Sequence, residues 1–165
     1  MRHQTPTFVR QFLEKHNPKR DNVLEVGSLD VNGNIRDLFK DNAYVGLDMR
    51  DGANVDVVGN GHDLVARFGK NKFNLVVCVD TLEHDDAFWV TVSEMKKVLK
   101  KGGWLILGVP SRRCPLHEHP SDYWRFMSHG MEVMLDGLVD TYVEVQRDAG
   151  EDSAEDEIMG YGRKA

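Results

Sequence analysis

The chain has 165 residues, of which 41% are hydrophobic and 29% charged, and this composition favours one folded domain over a disordered chain. Its formal net charge of −6 argues against a protein dedicated to duplex nucleic acid, which needs a basic surface to displace counterions from phosphates. The two cysteines and the lack of an apolar run near the ~20 residues that span a bilayer predict a cytoplasmic protein without disulfides and without a membrane contact.

Short apolar runs alternate with helix-period segments, which is typical of an α/β fold with a mostly parallel sheet. The first helix is predicted over about residues 5–17, with Thr5 at its N-cap and Asn17-Pro18 at its end. The next elements are, in chain order, a strand over 23–26, a short helix around 35–39, and strands over 43–48, 55–58 and 73–79. The last run is nearly all apolar, as expected of a central strand covered on both faces.

The strongest helix signal covers residues 85–101. Acidic residues open this segment and lysines close it, which suits the helix dipole, and Gly102-Gly103 provides the stop. The later elements are a strand over 104–109, a helix over about 129–138 with Ser128 as its candidate cap, and strands over 142–146 and 158–162. We expect the last two strands to form an antiparallel hairpin over about residues 140–163, within a single domain that covers residues 1–165.

A turn-rich loop from Gly27 to Gly33 follows the first predicted strand. A strand that leads into a glycine-bearing loop lets the backbone approach a ligand at the carboxyl edge of a sheet. Asp48 follows Gly27 by 21 residues and ends the next strand, where a carboxylate is placed to accept hydrogen bonds from two ribose hydroxyls. The alternative is that the glycines only shape a turn and Asp48 only ends a strand.

Several degenerate motifs occur together in a fixed order. They are Glu25 and Gly27, Asp48, the apolar run 73–77, Leu82-Glu83-His84, and residues 99–105 with Gly102-Gly103 at their centre. In this order they resemble the class I S-adenosylmethionine-dependent methyltransferases, in the small methyltransferase-domain type, from Val23 to the end of the chain. The resemblance implies a Rossmann-like three-layer sandwich whose seven-stranded sheet is mostly parallel with an antiparallel last strand. It also implies S-adenosyl-L-methionine as the cofactor.

The resemblance further implies which residues hold this cofactor. The loop after Glu25 would hold the methionine part, Asp48 the ribose, and the amide oxygen of Asn60 the adenine amino group. Met49 is placed to pack on the adenine face, and a core position for this methionine is equally open. The expected cofactor-binding residues are Glu25, Gly27, Ser28, Gly33, Asp48, Met49, Asn60, Gly61 and Asp80.

A second polar cluster follows the fifth predicted strand, at residues 112–125. Its His-Pro-x-Asp-Tyr-Trp-Arg-Phe run is similar to a motif of some small methyltransferases in this group. The similarity implies a segment over the acceptor with His117 or His119 as the base, and with Tyr123 or Arg125 as orienting groups. His84 is the third candidate catalytic residue, and the alternative is that the cluster is scaffold. Two histidines without a third ligand are a weak zinc signal, so no metal site is predicted.

The function predicted from the sequence is transfer of a methyl group to a small-molecule or saccharide-like acceptor, with nucleic acid an unlikely partner. One alternative is a non-catalytic S-adenosylmethionine-binding module. A weaker one is a nicotinamide-dependent oxidoreductase, which lacks support because Gly-x-Gly-x-x-Gly and a second domain are absent. The oligomeric state stays open, because Met131, Met134 and Leu138 would form either a homodimer surface or part of the core.

Overall fold

Seven strands form one sheet in the computed structural model, which describes residues 5–40, 42–117, 121–147 and 156–165. The strands are β1 Asn22–Val26, β2 Ala43–Asp48, β3 Val57–Val58, β4 Phe73–Val79, β5 Leu99–Pro110, β6 Val139–Gln146 and β7 Glu157–Arg163. The α-helices are α1 Thr5–His16, α2 Leu64–Phe68, α3 Phe88–Val98 and α4 Ser128–Met134. Short 3₁₀ helices cover Arg36–Phe39, Gly61–Asp63 and Leu82–His84.

The strand order is β3-β2-β1-β4-β5-β7-β6. Strands β1 to β5 pair in parallel, whereas β7 pairs antiparallel with both β5 and β6. The predicted mostly parallel seven-stranded sheet with an antiparallel last strand is therefore confirmed. Val26 lies opposite both Leu47 and Cys78, so the carboxyl ends of β1, β2 and β4 meet at one edge.

Alternating strand residues build a core on each face of the sheet. Leu24 and Val76 pack with α2, α3 and α4, whereas Val23 and Leu75 pack with α1 on the opposite face. All four side chains are fully buried, which explains why these strands are almost continuously apolar in the sequence. Helices on both faces of the sheet give the three-layer sandwich.

The first helix follows the prediction closely. Its apolar stripe, formed by Phe8, Val9, Phe12 and Leu13, is buried. At its start the buried Thr5 hydroxyl donates a 2.9 Å hydrogen bond to Oε2 of Glu157, which connects the helix to β7. Among the described helices, none combines the length and the apolar character that crossing a membrane requires.

The helix predicted over residues 85–101 is shorter in the structure. It begins at Phe88, because the Asp85 carboxylate accepts a hydrogen bond from the Ala87 backbone in the turn before it. It ends at Val98, because Leu99 adopts an extended conformation and pairs with Phe73 at the start of β5. The lysines after Leu99 therefore lie in a strand instead of closing a helix.

The predicted bounds or types of several other elements are corrected as well. Helix α4 ends at Met134 instead of residue 138, and its N-cap is Met127 instead of Ser128. The third strand is reduced to Val57–Val58, because the Val55 amide closes a turn on Gly52. The short helix around residues 35–39 is a 3₁₀ turn. Helix α2 was not predicted, since its five residues are too short to show a helical period.

Of the two alternatives for Met131, Met134 and Leu138, the core position is confirmed. Met131 and Met134 are buried, and Leu138 packs against the same core cluster. Met131 also lies under Gly160 of β7, where an added Cβ would come within 2.8 Å of its Cγ. These residues hold α4 on the sheet, so they do not offer a surface to a second chain. The predicted acidic turn of the terminal hairpin, residues 151–157, lies mostly outside the described residues.

Candidate active site

A cleft of about 980 Å³ opens at the sheet edge where β1, β2 and β4 end. All the residues expected to bind the cofactor line it, namely Glu25, Gly27, Ser28, Gly33, Asp48, Met49, Asn60, Gly61 and Asp80. His84, His117 and Tyr123, which were expected at the acceptor, line it as well. The sequence motifs from five separate segments therefore meet around one space.

The Gly27 loop presents backbone to the floor of this cleft. Gly27 has a φ of +80°, and an added Cβ would lie 1.9 Å from Oγ1 of Thr81. Its amide donates a 2.8 Å hydrogen bond to the Leu47 carbonyl, as does the Ser28 amide at 3.1 Å. At the far end of the loop, the Gly33 amide donates to Oδ1 of Asp30. Only glycine fits position 27, because both the conformation and the space exclude a side chain.

Glu25 is buried at the end of β1 and is held by two donors. The Tyr44 hydroxyl donates a short hydrogen bond to Oε2, and the Asn54 side-chain amide donates a second one of 3.0 Å to the same oxygen. Burial raises the pKa of Glu25 to about 7, although these two hydrogen bonds oppose the shift. Burial beside Glu25 also raises the pKa of Tyr44. Glu25 can therefore gain or lose a proton near neutral pH.

Asp48 is oriented at the rim of the cleft by backbone hydrogen bonds. Its Oδ2 accepts from the Leu29 amide at 3.2 Å, and its Oδ1 accepts from the Arg50 amide at 3.0 Å. Each carboxylate oxygen can accept more than one hydrogen bond, so both can still meet a ligand. The neighbouring Met49 is 70% exposed and lines the same rim, which rules out the core position for this methionine.

Asn60 has a structural role in addition to the predicted contact with the adenine amino group. Its Oδ1 accepts a 2.9 Å hydrogen bond from the His62 amide and thereby caps the 3₁₀ helix Gly61–Asp63. The oxygen predicted to meet an adenine amino group thus already carries one bond, and it retains a second lone pair. Gly61 is buried against α3, where an added Cβ would come within 2.8 Å of the Thr91 side chain.

Two histidines stand together at the opposite end of the cleft. Nε2 of His117 lies 3.2 Å from Oε1 of the fully buried Glu83, and Nδ1 of His84 lies 2.6 Å from the Ser121 carbonyl. The hydrogen bond to Glu83 is the main cause that raises the pKa of His117. Tyr123 is half-exposed nearby, and its amide donates to the Glu83 carbonyl at 2.7 Å. His119 lies outside the described residues.

Arg125 is placed differently from the sequence-based expectation. It is absent from the described lining of the cleft, and its guanidinium binds Asp122 through two nitrogens. It also donates to the carbonyls of Cys114 and Pro115. Arg125 lowers the pKa of Asp122 to about 2, so this pair is ionised at neutral pH. In this arrangement Arg125 supports the segment that carries His117.

Replacing Arg125 by lysine is expected to destabilise the fold by about 1–2 kcal/mol, because an ammonium cannot bind both oxygens of Asp122 and the two carbonyls together. Urea unfolding measures this loss. Arg113→Lys is the matched control, since Arg113 is more than half exposed and only reaches Asp156 at 3.6 Å. Equal, small effects of the two changes would show that the Arg125 network does not hold the segment.

The family of the chain follows from a comparison with known proteins. A family model described as a methyltransferase domain matches residues 1–135. The chain belongs to this family. No curated protein sequence matches this methyltransferase-domain chain.

Solved structures share the fold of this methyltransferase domain. A SAM-dependent methyltransferase from Archaeoglobus fulgidus has a TM-score of 0.74 and 14% identity, over 96% of this chain and 94% of that one. The 1,6-didemethyltoxoflavin-N1-methyltransferase of Burkholderia thailandensis, solved with 1,6-didemethyltoxoflavin and S-adenosylhomocysteine, has a TM-score of 0.73 and 14% identity, over 99% and 77%. The N-terminal domain of EvdMO1 with S-adenosylhomocysteine bound has a TM-score of 0.70 and 16% identity, over 100% and 83%.

Several groups in the cleft of this methyltransferase domain, or in contact with its lining residues, were not predicted from the sequence. Asn54 bridges the Glu25 carboxylate and the Ser28 carbonyl from a left-handed conformation, and no motif marks it in the sequence. His62 lies 2.9 Å from an oxygen of Asp85 across the cleft. The sequence offered a signal for His62 and Asp85, because His62 directly follows the expected site residue Gly61 and Asp85 directly follows the expected site residue His84.

Proposed function

We propose that the chain transfers a methyl group from S-adenosylmethionine to a small-molecule acceptor in the cleft. The observation that carries this proposal is the continuity of the cleft, which joins the Gly27 loop and Asp48 at one end to His84 and His117 at the other. Its volume is at the upper end of the range for small-molecule sites. It therefore has room for a cofactor and a small acceptor side by side.

The charge of the cleft suits this cofactor. Six carboxylate side chains line it, namely Glu25, Asp48, Asp80, Asp85, Asp86 and Glu157, and Arg50 is the one arginine or lysine among the described lining residues. S-adenosylmethionine carries a sulfonium and an ammonium, both of which a carboxylate-lined cleft attracts. The same charge disfavours the pyrophosphate of a nicotinamide cofactor. Two of the solved structures with this fold hold S-adenosylhomocysteine, which supports the assignment.

Within the proposed complex, each end of the cleft has a role. The Gly27 backbone and Glu25 hold the methionine part, Asp48 accepts from the ribose hydroxyls, and Met49 packs on the adenine. Among the described residues both donors to Glu25 bind Oε2, which leaves Oε1 to accept from the ligand ammonium.

The acceptor then lies beside His84, His117 and Tyr123. Methyl transfer is an in-line displacement, so the main contribution of these residues is to keep the acceptor atom and the methyl carbon aligned. The carboxylate-lined walls favour a neutral or cationic acceptor, including a saccharide-like one, over a phosphorylated acceptor.

Calorimetric titration with S-adenosylhomocysteine, with NAD in a parallel titration, tests the cofactor assignment. We expect micromolar binding of S-adenosylhomocysteine and none of NAD. A panel of hydroxyl and amine acceptors with labelled S-adenosylmethionine then tests transfer. Cofactor binding without transfer to any acceptor would favour the non-catalytic binding module, and binding of NAD alone would overturn the proposal.

Asp48→Asn is expected to weaken S-adenosylhomocysteine binding by about 1–2 kcal/mol, because the ribose hydroxyls lose one charged acceptor. Asparagine keeps the size of the side chain and one oxygen for the backbone amides of Leu29 and Arg50. Asp86→Asn is the matched control, since Asp86 is an exposed carboxylate in the same cleft, and we expect it to bind like the wild type. Equal losses in both variants would mean that only net charge matters and that Asp48 does not bind the ribose.

A further inference from the structure

Three side chains that can ligate a metal converge at the acceptor end of the cleft: His84 and His117 line it, and Glu83 is fully buried next to them. One ligand atom each from Glu83, His84 and His117 lies within 4.8 Å of the other two. Nε2 of His117 is 3.2 Å and Nε2 of His84 is 3.8 Å from the same oxygen of Glu83, and the two rings stand perpendicular. Glu83 and His84 come from the 3₁₀ helix after β4, so the His117-Glu118-His119 run in the sequence does not indicate them as ligands.

The other nitrogen of each histidine is held by a backbone carbonyl. Nδ1 of His84 is 2.6 Å from the Ser121 carbonyl, and Nδ1 of His117 is 3.3 Å from the Pro115 carbonyl. A carbonyl can only accept a hydrogen bond, so Nδ1 of His84 carries the proton. Nδ1 of His117 also lies 3.4 Å from a guanidinium nitrogen of Arg125, which can only donate, so this nitrogen has both a donor and an acceptor within reach. Nε2 of His84 then keeps its lone pair, 3.8 Å from the Glu83 oxygen. Nε2 of His117 donates to this oxygen while no ion is bound and would give up its proton when a metal ion binds. A second hydrogen bond from the other ring nitrogen is the usual way in which metal-binding histidines are oriented.

The burial of the Glu83 carboxylate independently favours a bound cation. Its side chain is fully buried, and its Oε2 has no hydrogen-bond partner within the part of the chain that the structure describes. A buried carboxylate is costly unless a cation or several hydrogen bonds compensate it. The neighbouring cleft is lined by six carboxylate side chains and one arginine among the described residues, which adds to the attraction for a cation.

We propose that Glu83, His84 and His117 form a three-ligand site for a divalent transition-metal ion. A set of two imidazoles and one carboxylate suits zinc, cobalt, manganese or iron better than magnesium or calcium. Metal–ligand bonds of about 2.0–2.1 Å at tetrahedral angles place ligand atoms about 3.3–3.4 Å apart, close to the 3.2 and 3.8 Å found here. Three protein ligands leave at least one position open toward the cleft.

The open coordination position of the proposed metal ion indicates the class of acceptor. This inference about the acceptor rests on the proposed function. An acceptor hydroxyl that binds the ion through its oxygen loses its proton to water more readily, because the ion stabilises the resulting negative charge. The oxygen then forms a bond to the methyl carbon while the carbon–sulfur bond breaks and its electron pair stays on sulfur. The products are a methyl ether, S-adenosylhomocysteine and one proton. We therefore infer an oxygen acceptor.

The site is tested with tag-free full-length protein that has been treated with a chelator and dialysed at about pH 8, where neutral imidazoles can bind. Co²⁺ titration followed by visible absorption and Zn²⁺ titration by calorimetry should each show one ion per chain. His84→Gln and His117→Gln should each weaken binding at least about tenfold. His117 is partly exposed, so its variant is expected to fold even if a Glu83→Gln variant does not.

His62→Gln is the matched control for metal affinity. His62 lines the same cleft and also contacts a carboxylate, but it lies outside the proposed ligand set. Its variant should bind Co²⁺ like the wild type. Absence of Co²⁺ binding by the wild type, wild-type affinity in His84→Gln, or loss of the ion in His62→Gln would each overturn the site. Titration of the metal-free protein with S-adenosylhomocysteine separates this failure from failure of the proposed function, since the cofactor end needs no ion.

Discussion

The wild-type protein is expected to lose about 3 kcal/mol of its free energy of unfolding as the pH rises from about 4.5 to above 7. The Glu25→Gln substitution is expected to abolish this pH dependence. The pKa of Glu25 is 4.5 in a solvated chain and about 7 in the folded protein. Between these values the folded state holds a proton that the unfolded state has released, so the free energy of unfolding falls as the pH rises. A shift of this size corresponds to about 3 kcal/mol.

Urea unfolding at a series of pH values from 4 to about 9 measures this effect. The glutamine variant should lose the fall between the two pKa values and should be more stable than the wild type at about pH 8, where the wild type buries a charge. Glu132→Gln on the exposed side of α4 is the matched control, and its profile should follow that of the wild type. Parallel profiles for the wild type and the Glu25 variant would show that Glu25 does not hold its proton to neutral pH.

The fold of this domain is largely readable from its sequence because the central strands are buried on both faces. Residues 43–48 and 73–79 were predicted with the bounds that the structure has, since their apolar runs end at Asp48 and at Asp80. The boundary between α3 and β5 was not predicted, because Leu99 suits both the helix stripe and the strand. Pairing of Leu99 with Phe73 decides its conformation, and this contact is absent from the local pattern.

The cofactor end of the cleft was more predictable than the acceptor end. Glu25, Gly27 and Asp48 lie at the carboxyl ends of two adjacent parallel strands, so strand order alone brings them to one edge. Contacts of the segment after β5 depend on side chains distant in sequence. Arg125 turns away to bind Asp122, and His117 turns toward Glu83, which no spacing in the sequence indicates.

Gly27→Ala is expected to cause the largest loss of cofactor binding, at least about 100-fold in affinity for S-adenosylhomocysteine. The added Cβ would lie 1.9 Å from Oγ1 of Thr81, and alanine disfavours the φ of +80°. The loop must therefore move away from β4, and its backbone no longer meets the methionine part of the cofactor. The free energy of unfolding should fall by about 2–4 kcal/mol, because steric overlap adds to backbone strain.

Gly137→Ala separates these two contributions. Gly137 has a nearly equal φ of +78°, but no atom lies within 4 Å of an added Cβ among the described residues. Its variant should lose only about 1–2 kcal/mol of stability from backbone strain and should bind S-adenosylhomocysteine like the wild type. Adding Thr81→Gly to Gly27→Ala should restore part of the lost stability, since the overlapping side chain is removed. Equal stability and binding in the Gly27 and Gly137 variants would mean that the contact with Thr81 does not position the loop.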